Sequence, residues 1–278
     1  MTLGSSSFRI VQRLVRKASG IVLGEGKEYL VESRLLPLCK TTGCSSIDDL
    51  VRRVDGDAKL AAVVVDALTT NETSFLRDLH PFECFCETVV PQLMAARAGE
   101  RRLRIWSAAC STGQEPYTLS MLLADRFPEL ADWDVKILAT DISERVLEKA
   151  RSGRFSQLEV NRGLPAKLMV KNFKRIGTEW QARPELARCI EFRQLNLVER
   201  WSGMEQYDVV LLRNVMIYFD VETKAAVLGK VRSAMRDGGW LLLGAAETTT
   251  GLSEDFERDS GTESLFYRAT SRGALPCR

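Results

Sequence analysis

The stretch LRIWSAACSTGQEPYT, residues 103–118, runs from an apolar segment of strand length through a loop of small residues with a single glycine into a helical pattern. A strand followed by a loop and a helix is the unit of a parallel α/β sheet, and such sheets bind ligands beyond the carboxyl ends of their strands. The composition of the loop excludes two ligand classes. It contains neither GxxxxGK[ST], which cradles nucleotide phosphates, nor the GxGxxG of a dinucleotide site.

Outward from this stretch the same rhythm continues. DVKILATD (134–141), IEFRQLNL (190–197), YDVVLLRN (207–214) and GWLLLGAAE (239–247) are further apolar runs. The helical patterns EPYTLSMLLADRF, SERVLEKAR and VETKAAVLGKVRSAMRD lie between some of them. Continuous apolar strands alternating with helices predict a parallel sheet covered on both faces. Residues 163–189 break the rhythm, where KNFKRIGTEWQAR reads as a small hairpin around a Gly-Thr turn. Upstream, LHPFECFCETVVPQLMAARA reads as one helix beginning at residue 79.

Residues 5–70 read as a small helical domain. Ile10, Val11, Leu14, Val15 and Ala18 fall on one face of the first helix, with Arg9, Arg13 and Arg16 on another, and Gly20 ends it. A second helix spans about Lys27 to Cys39, with Leu30, Val31, Leu35 and Leu38 as its buried stripe. SSIDDLVRRV and DAKLAAVVVDALT supply two more, the first with a Ser cap.

Composition narrows the function classes. The 278 residues are 45% hydrophobic, enough for two domains with substantial cores, and the net charge of +2 gives no global signature of nucleic-acid binding. Seven cysteines without CxxC spacing predict reduced thiols and a cytoplasmic protein, and Cys84 and Cys86 read as core or surface thiols without a metal. No run approaches a membrane span, and the N-terminal residues lack the apolar region of a signal peptide.

The strand ends define the ligand. Strand one delivers Glu115, strand two Asp141, strand three Asn196, and strand four Arg213 and Asn214. An acid after the second strand suits a ribose diol, while the TDIS context of Asp141 equally suits a helix N-cap, a role that Ser143 can also take. An acidic, amide-rich end without a phosphate loop suits a ligand with a ribose and a positive charge, and S-adenosylmethionine has both. Ala108, Ala109, Ser111 and Gly113 leave room for close backbone approach.

With these residues in place the chain resembles the CheR-type methyltransferases, which esterify glutamates of bacterial chemoreceptors. The resemblance is carried by GIVL, KEYLVESRL, TTNETSFLRD (69–78), WSAACSTGQEPYTLSM, ATDIS, ARSGRF, LRNVMIYF (212–219) and GGWLLLGAAET, in that order along nearly the whole chain. It implies an α/β fold: a small N-terminal helical, receptor-docking domain (1–70), then a Rossmann-like class I methyltransferase domain (79–278) with a small antiparallel β insertion (about 163–189). The linker 71–78 contributes to the cofactor site. It also implies S-adenosylmethionine as methyl donor, S-adenosylhomocysteine as product, and a monomeric cytoplasmic enzyme of signal transduction.

By the same resemblance Asn71, Thr73 and Arg77 enter the cofactor pocket. Glu115 accepts from the donor's amino group or ribose, and Asp141 grips the ribose. Asn196 with Leu197, and Arg213 with Asn214, border the adenine and methionine portions, while Arg77 and Tyr218 orient the substrate. His80, the single histidine, reads as structural. The basic face Arg9, Arg13 and Arg16, joined by Lys27 and Arg34 of the second helix, is the expected dock for glutamate-rich receptor helices. Pro37 and Leu38 interrupt that face. The β insertion is, in some relatives, a dock for a receptor C-terminal peptide. One departure is GAAET (244–248), where relatives commonly carry a His and a Ser. Two rivals stand beside this reading: a methyltransferase of the same fold with another acceptor, and a cofactor-sensing receptor adaptor without activity.

Overall fold

The computed structural model describes residues 3–262 and 266–271. The chain divides into two compact units. The first takes in the chain up to Thr70 together with Asn196–Glu199 and Tyr218–Lys224; the second takes in Asn71–Leu195, Arg200–Ile217 and the chain from Ala225 onward.

The first unit is built on α1 (Ser5–Ser19), α2 (Glu28–Thr42), α3 (Ile47–Val54) and α4 (Ala58–Leu68). Their ends follow ordinary capping chemistry. Gly20 and Gly43 close α1 and α2 in the left-handed region, Ser46 accepts from Asp49 N to open α3, and Asp57 accepts from Lys59 N and Leu60 N to open α4. Phe8, Val11, Val15, Val31, Leu35, Leu50, Val64 and Leu68 form the core. Two helix faces differ from the sequence reading. Ile10 is 39% exposed and Phe8 takes the inward position, while the α2 stripe is Val31, Leu35 and Cys39, with Leu30 and Leu38 only partly covered. Strict i, i+4 spacing, which Val31, Leu35 and Cys39 obey, accounts for the second shift.

The inserted segments are held to α1 and the residues after it. Asn196 Nδ2 donates to Ala18 O at 2.7 Å, and Val22 N donates to Tyr218 O at 2.8 Å. Ile21 and Phe219 form an antiparallel bridge.

In the second unit the helix read as continuous from residue 79 is α5 (His80–Cys84), a π turn at Phe85–Val89, and α6 (Val90–Ala96). Cys84 and Cys86 are both buried there. Then come β1 (Arg102–Ala108), α7 (Gln114–Arg126), β2 (Asp134–Asp141), α8 (Glu144–Ser152), β3 (Arg154–Ser156), α9 (Gln157–Asn161), α10 (Ala166–Asn172), β4 (Phe173–Ile176), β5 (Glu179–Ala182), α11 (Pro184–Ala187) and β6 (Ile190–Gln194). After β7 (Tyr207–Leu212) the remaining elements are α12 (Val221–Ser233), β8 (Met235–Leu243), β9 (Phe256–Arg258) and β10 (Phe266–Ala269).

The main sheet has the order β6-β2-β1-β7-β8-β10-β9. β6, β2, β1, β7 and β8 are parallel, as expected, whereas β10 runs antiparallel to β8 and β9 antiparallel to β10. The sheet is therefore mixed. Strand ends also shift: β6 stops at Gln194, two residues before Asn196, and α12 ends at Ser233, so that β8 begins at Met235.

The insertion is a three-stranded antiparallel sheet of order β3-β5-β4, of which the Gly177-Thr178 hairpin supplies β4 and β5. Its first strand lies upstream of the expected boundary at residue 163. The Phe75 ring meets Phe155 and Phe173 edge-on, with centroids 5.0 and 5.6 Å apart, which fixes the segment after Asn71 against this sheet. Gly163 (φ 93°) lies so close that a Cβ there would be 2.0 Å from Phe75 O. Gly163→Ala is expected to destabilise the protein by roughly 3 kcal/mol in urea unfolding, through left-handed strain plus overpacking. Gly26→Ala, also at positive φ but facing open space, should cost only about 1 kcal/mol; equal losses would contradict the close approach.

Candidate active site

The carboxyl ends of β2, β1 and β7 lie side by side, with Ala108 paired to Thr140 on one flank and Leu212 on the other. The loop leaving β1 takes positive φ at Ala109 (60°), Ser111 (52°) and Gly113 (96°), although only one of these is glycine. Hydrogen bonds to neighbouring strands and the linker hold that strained backbone. Cys110 N donates to Thr140 O at 2.8 Å, Ser111 N to Asp141 Oδ2 at 2.9 Å, and Ser111 Oγ to the carbonyl of Asn71 at 2.8 Å.

The geometry separates the two roles that sequence left open for Asp141. Ser143 is the N-cap of α8, its Oγ accepting from Val146 N. Asp141 Oδ1 accepts from Ser143 N at 3.0 Å, so this buried carboxylate organises both the loop after β1 and the turn into α8.

Glu115, in the first turn of α7, accepts from Ser107 Oγ at 2.7 Å and pairs with Arg213 at 3.0 Å. Arg213, its side chain 3% exposed, also donates to the Arg77 carbonyl at 2.9 Å and pairs with Asp78 at 2.8 Å. Its guanidinium lies 5.3 Å from the centroid of the Phe82 ring. Both terminal nitrogens of Arg213 are thus engaged by protein oxygens, so the side chain braces the end of β7. Arg77 is half-buried, with one nitrogen donating to Glu72 O at 2.9 Å, and Thr73 is half-buried beside it. His80 opens α5 with Nδ1 3.9 Å from Glu83 Oε2.

Asn214 takes a positive φ of 57° immediately after Arg213, and its N–H donates to Glu247 at 2.8 Å. Glu247 was not singled out by sequence, where its alanine-rich surroundings drew attention only as a departure. A lone acid just beyond an apolar strand was the available signal. Asn196, buried Leu197 and half-buried Tyr218 belong to the first unit. Tyr218 ends a 3-10 turn, Met216–Tyr218.

The basic residues of the first unit divide. Arg9, Arg13 and Lys27 are exposed. Arg16 is exposed as well, its side chain 65% accessible while it pairs with Asp220 at 2.6 Å, and half-buried Arg34 donates to Leu68 O, Thr69 O and Thr70 Oγ1, closing the end of α4. Helix ends leave unsatisfied carbonyls, and Arg34 supplies donors to those of α4.

Burial holds the Cys110 thiol well above its ordinary range, reinforced by Asp141 and Glu115, and pushes Tyr117 up to about 12. Neither supplies a base at neutral pH. The residue set fits S-adenosylmethionine: Asp141 and Glu115 place carboxylates beside the loop after β1, and residues 109–114 contain no cation for a phosphate.

Asp141→Asn is expected to weaken S-adenosylhomocysteine binding about tenfold or more by calorimetry, because an amide turns a donor towards backbone N–H groups and removes charge from the diol contact. Ser143→Ala should lower stability by about 1 kcal/mol at near-normal affinity. The reverse pattern would make Asp141 a capping residue only.

Comparison with known proteins gives a consistent result. The family model for the CheR methyltransferase all-alpha domain matches residues 6–69, and that for the CheR methyltransferase SAM binding domain matches residues 71–265. The chain is 38% identical over 275 residues to chemotaxis protein methyltransferase 1 of Pseudomonas aeruginosa, covering 97% of this chain and 100% of that one. It is 37% identical over 276 residues to chemotaxis protein methyltransferase Cher2 of Pseudomonas putida, with coverage of 97% and 100%. Against the chemotaxis protein methyltransferase of Vibrio parahaemolyticus it is 37% identical over 274 residues, with coverage of 96% and 98%. The chain, an S-adenosylmethionine-dependent methyltransferase by these matches, belongs to the CheR methyltransferase family.

Proposed function

We propose that the protein transfers a methyl group from S-adenosylmethionine to glutamate side-chain carboxylates in the cytoplasmic domain of chemoreceptors, giving glutamate methyl esters and S-adenosylhomocysteine. The observation that carries this reading is the buried Asp141 carboxylate at the end of β2 in a chain with full-length similarity to chemotaxis methyltransferases. The donor supplies a methyl group on a positively charged sulfur. A glutamate with a reference pKa of about 4.3 is already ionised at neutral pH, so its oxygen attacks the methyl carbon without a general base. The chain's task is alignment, an effect worth roughly 7–11 kcal/mol in favourable intramolecular models.

Arg77 and Tyr218 are the orienting residues in this reading. The guanidinium of Arg77 is engaged at one nitrogen only, and the Tyr218 hydroxyl has no hydrogen-bond partner among the described residues. Asn71, Thr73, Glu115, Asn196, Leu197 and Asn214 complete the cofactor surroundings. Arg9, Arg13, Arg16 and Lys27, exposed in the first unit, are with Arg34 the receptor-docking cations. The unpaired edge of β4 in the small sheet suits a receptor C-terminal peptide added as a strand. No helix among the described residues is long and apolar enough to cross a membrane, and we place the enzyme, as a monomer, in the cytoplasm.

Transfer of labelled methyl to receptor, followed by release of labelled methanol in base, is the expected result. Base-stable label would indicate an amine or phenol acceptor, and no transfer despite cofactor binding would indicate an adaptor. Reversal of Arg9, Arg13 and Lys27 to Glu should raise KM for receptor about threefold to tenfold at low salt, with S-adenosylhomocysteine affinity unchanged. Normal methylation by this variant would make the stripe a solvated face only.

A further inference from the structure

We infer that Glu247 is a positioning residue for methyl transfer: its carboxylate is the template on which the backbone of residues 214–217 is folded. This rests on the receptor-methylating function proposed above. Oε2 accepts from Asn214 N and Gly244 N, both at 2.8 Å, and Oε1 accepts from Val215 N at 2.9 Å and Ile217 N at 3.2 Å. Four backbone donors converge on one side chain, and no basic side chain pairs with it among the described residues. Its partners are backbone N–H groups, as in the anion-binding concavities formed by successive N–H groups.

The surrounding sequence is fitted to this arrangement. Glu247 N donates back to Gly244 O at 2.9 Å, so 244–247 forms a tight turn that brings the carboxylate over its own starting residue. A Cβ on Gly244 would lie 2.7 Å from Glu247 Oε2 and 2.9 Å from Asn214 N, so glycine is the residue that admits both. The small side chains of Ala245 and Ala246 complete the turn. On the receiving side, Asn214 holds a positive φ of 57° that a non-glycine residue keeps only under restraint. The templated segment follows Arg213, fixed by its ion pairs, and leads into the 3-10 turn Met216–Tyr218. Glu247 thus acts through the backbone of the loop that presents Asn214, without touching substrate.

The test combines Glu247→Gln with hydrogen exchange. The amide is isosteric but sets its own N–H groups against two of the four donors, so kcat at saturating substrates should fall about tenfold or more while KM for receptor stays within about threefold. Amide exchange at Asn214, Val215 and Ile217 should quicken by about tenfold or more, with Ser111 unchanged. Wild-type kcat in this variant, or lost kcat without faster exchange at those amides, would overturn the inference. The wild-type protein decides it even if the variant fails to fold, because those three amides must exchange as slowly as the neighbouring β7 core. Slow exchange in a wild type that transfers no methyl to receptor would instead refute the proposed function and leave the template standing.

Discussion

The buried guanidinium of Arg213 is the constraint on which the ligand end of the sheet depends. It joins the end of β7 to Glu115 at the start of α7 and to the Arg77 carbonyl and Asp78 in the linker, three stretches far apart in sequence. Removing one partner of such a buried pair typically costs about 3–5 kcal/mol, since the other charge is left uncompensated. The Glu115 arm carries most of that weight, because Glu115 is 12% exposed and Asp78 is 45% exposed. With β7, α7 and the linker tied together, Asn71 can offer its carbonyl to Ser111, and the strained loop after β1 has a fixed partner.

From that frame follows a division of labour between two carboxylates. Asp141 holds the β1 loop and the turn into α8, whereas Glu247 directs both oxygens to backbone donors beyond β7. Neither faces a task that needs a proton moved. An acceptor that is already anionic and a donor that is already cationic lose charge as they react, so a site of fixed polar groups and rigid loops suffices.

Much of this was legible in the sequence. β1, β2, β7 and β8 each carry an apolar run, and Ser46, Asp57, Gly20 and Gly43 announce their helix ends by residue type. β9 and β10 were missed because strands of three and four residues lack a readable period. β3, three residues long, escaped for the same reason. The strand ends were read correctly as the source of Glu115, Asp141 and Arg213. What those side chains touch depends on pairings across more than 100 residues in the case of Arg213 with Asp78, separated by 135 positions. No local pattern encodes that. The contacts of Arg16 with Asp220 and of Arg34 with the end of α4 are equally absent from any local pattern.

The most direct measurement is kcat/KM for receptor methylation as a function of pH. A ready-made carboxylate acceptor predicts a flat profile through neutral and alkaline pH, falling only in acid as the receptor glutamate is protonated near its reference pKa of about 4.3. A rate that climbs steadily from neutral into alkaline pH would mean that a proton must leave the acceptor or a base in the enzyme, and would contradict glutamate esterification without a base.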